Sequence, residues 1–437
     1  MITTLKKSLI EFNTKLYLVL ILMLLIPTIY KTLRIYYLGD LPNDSGFNIA
    51  SQIIWLNVIF EVIQEAILLP LFFLLGKSIN DNLQTENKIK TGLITTGIIY
   101  LSLLIIIYFF ADSLLLLMKQ KESLIKLSSH YIKLESIAIF LSVVYRFTLI
   151  VLILLGKVKR IFLLLITQTI IIIICDSLLL SQYSFSMQLG VLGIAYGNII
   201  VELILIIISL FVLKKENVFW FKNTPLDFSW LKNWFKIGSL SGLESLIRNT
   251  VFIIMIIRLI NSIEGQSFFW VSNSFIWSWL LIPIIALGDL IKKEISEKKI
   301  ALNKVINFSI IITTSIVLIW LSTIPLWNSF FKNFMNISNP EIVLNITITA
   351  IIYYISFAYN NIIDSVFYGY GRTDLMLIQS ILINIIYYGI VFFTFKLTEL
   401  QITLNIIVTI FGLGILFDSI ITFGIYKYSL NRNSLTK

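Results

Sequence analysis

The sequence is poor in the residues on which many enzymes and secreted domains depend. Its 437 residues include one cysteine and one histidine, and only 13% are charged. A single cysteine excludes a disulfide framework, and a single histidine excludes a histidine-rich metal site. A soluble domain usually has about a quarter of its residues charged. We therefore expect no soluble domain in this chain.

Several sequence motifs are also absent. The chain contains no GxxxxGK[ST], HExxH or GxSxG pattern, so we expect no ATP hydrolysis by the chain itself and no enzymatic activity. The start, "MITTLKKSLIEFNTKLYLVL", leads into an apolar run without a small-residue cleavage site. We therefore expect no cleavable signal.

Long apolar runs dominate what is present. Hydrophobic residues make up 58% of the chain, and the mean hydropathy is +0.92. Runs of 18 or more apolar residues are typical of membrane-spanning helices. The sequence predicts an all-α polytopic membrane protein with twelve transmembrane helices in two pseudo-symmetric six-helix lobes. The predicted spans are 15–38, 48–76, 91–117, 131–155, 161–181, 189–213, 235–260, 267–291, 304–330, 341–368, 374–396 and 402–428.

The basic residues favour one side of the predicted membrane. Alternate loops and both termini together hold 23 Lys and Arg, whereas the other loops hold six. The positive-inside rule then predicts cytoplasmic termini. We attribute the net charge of +10 to topology and contact with anionic membrane lipids rather than to nucleic acid. The Ile- and Asn-rich composition suggests a bacterial plasma membrane protein, which we expect to be a monomer.

The chain divides into two halves of six spans. We predict an N-terminal lobe over 1–213, a cytoplasmic interfacial linker over 214–234, and a C-terminal lobe with its tail over 235–437. The turn "LLGKVKR" after span 4 and the turn "YGYGRTD" after span 10 match at Gly156 and Gly371. Internal repeats of this kind are typical of secondary transporters. Chance similarity between short turns is the competing explanation.

Five stretches give the chain a likeness to a known family. "GSLSGLESLIRN" has Gly238 followed six residues later by Glu244, and "IIIICDSLLL" carries Asp176. With "SSHYIKLESIAI", "LGVLGIAYGNIIVE" and "YGYGRTD", these stretches resemble, in order and spacing, the multidrug and toxin extrusion (MATE) family. That family lies within the multidrug/oligosaccharidyl-lipid/polysaccharide flippase superfamily. The resemblance implies a cation-coupled antiporter with two six-helix lobes around a central cavity.

The chain departs from the family pattern at three places. No acid lies between Glu11 and Asp40 in span 1, where many members carry one. Leu240 stands where members have a proline, and Ile172 stands where they have an asparagine. These departures leave the coupling ion open.

Ionisable residues inside the predicted spans are the candidate site residues. Each costs about 2.5–3.5 kcal/mol at mid-bilayer, so such residues face a bundle interior or a wet cavity. Glu244 and Arg248 are four residues apart on one face of span 7. One interpretation is a structural ion pair. The other is that Glu244 binds a proton or Na⁺ and that Arg248 adjusts the pKa of Glu244. Asp176 on span 5 either caps the helix or takes part in coupling.

Further candidates lie in the N-terminal half. Glu61 and Glu65 share one face of span 2, and Lys31 and Arg34 on span 1 are plausible partners. This group is either a buried ion-pair network or a second cation site. Glu202 on span 6 pairs with Arg146 or lines the cavity. Asp364 and Asp418 lie nearer the inner ends of their spans and rank lower as cavity residues.

Three functions compete. The first is an antiporter that uses H⁺ or Na⁺ to export organic solutes or drugs by alternating access, with no cofactor beyond the coupling ion. The second is a flippase for a lipid-linked saccharide or another anionic amphiphile, because a cationic cavity suits a phosphate head group. The third is a membrane enzyme that uses a lipid carrier. We prefer the antiporter, with an organic and possibly cationic small molecule or an amphiphile as substrate.

Overall fold

The structure is a computed structural model that describes eleven stretches of the chain. They are 13–39, 53–117, 122–181, 183–216, 226–252, 255–256, 266–297, 300–335, 337, 339–397 and 403–431. The side chains of 31–39, 53–56, 58, 117, 122–124, 266–267 and 396 also lie outside the description. The regular elements in these stretches are helices, because backbone polar groups in lipid must bond within their own segment. The helices are α1 (Thr14–Gly39), α2 (Ile53–Gly76), α3 (Asn82–Leu117), α4 (Glu122–Leu154), α5 (Val158–Leu179), α6 (Val191–Lys215), α7 (Leu231–Phe252), α8 (Gln266–Phe275), α9 (Ile282–Glu297), α10 (Leu302–Asn333), α11 (Pro340–Tyr370), α12 (Thr373–Ile381), α13 (Tyr388–Leu397) and α14 (Leu404–Asn431).

The helices have the length and composition of membrane spans. Of the described residues, nine helical segments can cross a membrane, and a bent pair formed by α8 and α9 raises this to ten. A shorter apolar helix covers Thr14–Tyr30. Helix α7 is not among the segments that qualify by composition, since Lys236, Glu244 and Arg248 lower its hydropathy. The chain is an integral membrane protein, and the predicted all-helical fold class is confirmed.

Two predicted spans are interrupted by π-helical turns. One turn, Ile276–Leu280, joins α8 to α9 with a bend of 48°. The other, Leu382–Tyr387, joins α12 to α13. Such turns leave backbone groups outside the regular helical ladder and are frequent at functional sites. Beside the first turn, the hydroxyl of Tyr17 donates to the carbonyl of Pro283 at 3.0 Å.

The two turns that match in sequence also match in backbone geometry. Gly156 and Gly371 have φ values of 64° and 71°, in the left-handed region that glycine adopts without a Cβ penalty. Lys157 N bonds to Leu152 O at 3.0 Å, and Arg372 N bonds to Phe367 O at 2.8 Å. Each glycine N also bonds to the carbonyl three residues earlier. Both α4 and α11 therefore end in a Schellman motif.

The chain separates into two compact units. The C-terminal unit combines Met1–Ile21 with Lys236–Lys437, and the N-terminal unit is Leu22–Phe235. In the C-terminal unit, α11 packs extensively against α9, α10 and α14. In the N-terminal unit, α6 packs against both α4 and α5. The predicted division into two lobes and a separate linker stays a prediction.

Candidate functional site

The charged pair on α7 belongs to the C-terminal unit. Glu244 is buried, and Arg248 Nη1 donates to Glu244 Oε1 at 2.5 Å. The hydroxyl of Tyr368 donates to Glu244 Oε2 at 3.2 Å. The Arg248 side chain stays 44% exposed. The pair therefore has a buried acidic end and an accessible basic end.

Helix α11 presents a polar stripe to its neighbours. Asn360, Asp364 and Tyr368 are spaced four residues apart, so they lie on one face of the helix. On the neighbouring face of α11, a glycine allows close approach by α9. A Cβ on Gly288 of α9 would lie 2.8 Å from both Asn361 Nδ2 and Ser365 Oγ. The face of α11 next to the polar stripe is therefore tightly packed against α9.

Two carboxyl groups meet at the amide of Asn360. Its Nδ2 donates to Asp364 Oδ2 at 3.1 Å and to Asp418 Oδ2 at 2.9 Å. Gln379 Nε2 donates to the other oxygen of Asp418 at 2.6 Å. We name Asn360, Asp364, Gln379 and Asp418 the C-terminal cluster. It joins α11, α12 and α14.

Three oxygens of the C-terminal cluster have no hydrogen-bond partner among the described residues. They are Asn360 Oδ1, Asp364 Oδ1 and Gln379 Oε1, and each atom is buried. Buried polar atoms are almost always hydrogen-bonded in native proteins, so three in one cluster need an explanation. Carboxylate and amide oxygens are the ligands that hard cations prefer. The cluster has the chemistry to bind such a cation or a proton.

The charges around the C-terminal cluster do not balance. Asp364 is acted on by the like charges of Asp418 and Glu244, by a hydrogen bond from Gln379 and by the opposite charge of Arg248. Three carboxylates face one guanidinium, so the described groups carry an excess negative charge when all are ionised. An uncompensated buried charge costs several kcal/mol. Bound cations or protons would remove that excess.

Asp176 occupies a different polar site in the N-terminal unit. It is buried, and the hydroxyl of Tyr30 on α1 donates to its carboxylate. A Cβ on Gly197 of α6 would lie 3.5 Å from Asp176 Oδ1. The site joins α1, α5 and α6. The coupling role of Asp176 stays a prediction.

The remaining candidates are spread along the N-terminal unit. Glu61 is exposed and Glu65 is half-buried on α2. The side chains of their proposed partners, Lys31 and Arg34, lie outside the described residues, so the predicted ion-pair network stays a prediction. Glu202 is half-buried on α6. Arg146 acts electrostatically on Glu202, although no ion pair joins them in the part of the chain that the structure describes.

Sequence reasoning missed half of the C-terminal cluster. Asn360 and Gln379 are neutral, so they did not stand out among intramembrane charges. Asp364 and Asp418 are far apart in sequence and each looked isolated. The available signal was the spacing of Asn360 and Asp364, which puts an amide and an acid on one helical face.

Comparisons with known proteins identify the fold. No family model and no curated protein match the chain. Among solved structures, a point mutant of the Vibrio cholerae MATE transporter VcmN is 15% identical, with a TM-score of 0.82 over 99% of each chain. A MATE in complex with MaD3S is 15% identical, with a TM-score of 0.78 over 97% of this chain and 96% of that one. A multidrug/oligosaccharidyl-lipid/polysaccharide flippase superfamily transporter from Pyrococcus furiosus, described with a binding pocket of reverse polarity, is 16% identical, with a TM-score of 0.77 over 97% and 96%.

Proposed function

We propose that this chain, which has the fold of the MATE transporters, is a secondary transporter that couples cation entry to the export of an organic solute. The coupling cation is H⁺ or Na⁺, and it binds at the C-terminal cluster. Support comes from the three buried oxygens without a described partner in this cluster. An ordinary structural network would satisfy these atoms.

The cluster suggests how binding and transport are linked. With the cation bound, the charges of Asp364 and Asp418 are compensated and their surroundings are stable. Loss of the cation leaves like charges that both reach the Asn360 amide. Repulsion between two carboxylates about 5 Å apart is roughly 3 kcal/mol at an effective dielectric constant of 20. That energy is large enough to shift a two-state equilibrium by more than a hundredfold.

Gradient-driven transport from proteoliposomes tests the proposal. Vesicles with the purified protein are loaded with a fluorescent organic cation and given either an H⁺ or a Na⁺ gradient. We expect one gradient to drive export, and Asp364→Asn to reduce the driven rate by at least about tenfold. Glu341→Gln is the matched control, because Glu341 is exposed in the first turn of the same helix. Driven export that is unchanged in both Asp364→Asn and Asp418→Asn would reject the cluster as the coupling site.

One observation favours an anionic amphiphile as the substrate. The guanidinium groups of Arg146 and Arg248 are on exposed residues, and arginine binds phosphate groups well. In the second arm of the experiment, the same vesicles carry a fluorescent lipid with a phosphate head group. Protein-dependent movement of this lipid, without export of the organic cation, would favour the flippase function.

A further inference from the structure

Basic side chains collect where the start of α5 meets the end of α6 in the N-terminal unit. Glu216, just beyond α6, connects the two helix ends. Lys157 Nζ lies 2.6 Å from Glu216 Oε2, and Arg160 Nε donates to Glu216 Oε1 at 2.8 Å. Lys159 and Lys215 are exposed beside them in sequence. We name Lys157, Lys159, Arg160 and Lys215 the basic cluster.

The basic cluster carries more positive charge than the acid beside it can balance. Among the described residues, its four cations contact one acid, Glu216. Residues 217–225, which follow directly, contain no Asp or Glu. An excess of three positive charges therefore remains, and Lys214 is not included in this count. Such an excess attracts an anion.

Glu216 also orients Arg160 for a second acceptor. Its carboxylate accepts a hydrogen bond from Nε, the one guanidinium nitrogen of Arg160 that bonds to a described residue. The two terminal nitrogens are left for another acceptor, and the side chain is 39% exposed. A guanidinium binds a phosphate with two parallel hydrogen bonds. Because one contact already orders the side chain, binding a phosphate costs less conformational freedom.

Exposed apolar side chains lie on the same helical faces as the two exposed lysines. On α5, Phe162 and Ile166 follow Lys159 by three and seven residues, and both are exposed. On α6, the exposed Phe211 precedes Lys215 by four residues, and Lys215 Nζ lies 4.8 Å from its ring centroid. Each helix thus has a cation at its end and an apolar face along the adjoining turns. This arrangement fits a molecule with an anionic head and apolar chains.

We propose that the basic cluster binds one anionic phospholipid, with the phosphate on Arg160 and the acyl chains along the exposed faces of α5 and α6. The positive-inside rule predicts that this end faces the cytoplasm, where anionic lipids make the membrane surface negative. The net charge predicts a general contact with such lipids, whereas the basic cluster gives one lipid a defined position. The site does not rest on the proposed transport function.

Native mass spectrometry of the purified protein in detergent tests the proposal. The probes are phosphatidylglycerol and phosphatidylcholine with the same acyl chains, and the readout is the fraction of protein that retains one lipid. We expect the wild type to retain phosphatidylglycerol more tightly than phosphatidylcholine. Arg160→Gln should lower the affinity for phosphatidylglycerol by at least about tenfold, because hydrogen bonds between ionised groups are lost.

Arg372→Gln is the matched control. It removes the same charge at the equivalent turn of the C-terminal unit, where Asp374 already accepts hydrogen bonds from two guanidinium nitrogens at 2.8 Å. This variant should keep the affinity of the wild type. Lys159→Gln is a second test that remains if Arg160→Gln fails to fold, because Lys159 is exposed and forms no ion pair with a described residue. It should lower the affinity by about fivefold.

Three results would overturn the proposal. One is equal retention of the two lipids by the wild type. Another is an affinity for phosphatidylglycerol that falls equally in Arg160→Gln and Arg372→Gln, or in neither Arg160→Gln nor Lys159→Gln, since a defined site would then be absent. The third is displacement of the lipid by glycerol phosphate at the same concentration, which would show a site for a free anion. Each measurement is made without an ion gradient, so its result is independent of the transport experiment.

Discussion

Replacing Asn360 with leucine tests the contact that connects the two aspartates. The Nδ2 group of Asn360 reaches both carboxylates, at 3.1 Å on Asp364 and 2.9 Å on Asp418. Leucine branches at the same carbon as asparagine, fills at least the same space and has no donor. The substitution removes both hydrogen bonds without opening a large cavity. The main effect on stability therefore comes from the lost donors.

The size of the loss depends on the charge of the acceptors. A hydrogen bond to an ionised group contributes about 1.5–3 kcal/mol. Interhelical hydrogen bonds measured in a membrane protein average only about 0.6 kcal/mol. If both acceptors are ionised carboxylates, removing the two bonds should lower the free energy of unfolding by about 3 kcal/mol or more. If both acceptors are neutralised carboxyl groups, the free energy of unfolding should fall by only about 1 kcal/mol.

Unfolding of the purified protein in detergent measures this difference. Asn345→Leu is the matched control, because Asn345 is exposed on the same helix and should change stability by less than about 0.5 kcal/mol. We expect Asn360→Leu to be clearly less stable than the control. We also expect the loss to shrink when a saturating coupling cation neutralises the cluster. Equal stability of the two variants would refute the described role of Asn360.

Two further substitutions test contacts that hold the helices of the N-terminal unit together. A Cβ on Gly193 would lie 2.6 Å from the carbonyl oxygen of Leu179, so Gly193→Ala should lower the free energy of unfolding by about 1–3 kcal/mol. Gly97→Ala is the control, because a Cβ on Gly97 would meet open space. Equal losses in the two variants would contradict the close α5–α6 contact. Hydrogen bonds from Lys157 and then Arg160 lower the pKa of Glu216, which lies just beyond α6. The stabilisation is present above the unfolded pKa of about 4.3 and is lost as pH falls through the lower folded value. The melting temperature of Glu216→Gln should lack this fall at acidic pH. If the melting temperatures of the variant and the wild type fall in parallel as the pH is lowered, Glu216 does not contribute the stabilisation.

The sequence predicted the backbone better than the sites. Apolar runs predicted the helices, because a segment in lipid must hydrogen-bond its backbone polar groups internally. The matched glycines predicted the equivalent turns at Gly156 and Gly371. The π-helical turns at Ile276–Leu280 and Leu382–Tyr387 were not predicted, since local composition does not distinguish them from regular helix. Their formation depends on packing with neighbouring helices.

The sites were harder to predict because their members come from distant helices. Glu244 and Arg248 were recognised together because they are four residues apart on one helix. Asp418 lies on α14, and its partners Asn360 and Gln379 lie on α11 and α12. A neutral amide gives no electrostatic signal in a sequence. Only the packing of these helices shows that the amides connect the acids.

The two halves share the glycine turn that ends α4 and α11, but their acidic residues lie at different positions. Counted back from the matched glycines, Tyr145 corresponds to Asn360 and Leu149 to Asp364. The N-terminal unit therefore lacks the amide and acid that form the C-terminal cluster on the equivalent helix. The acids on α4 are Glu122 and Glu135, both further from the turn. A repeat constrains turns and helix packing, whereas a buried charge needs a partner that the repeat does not specify. Each unit can thus hold its own ionisable site on a shared helical frame.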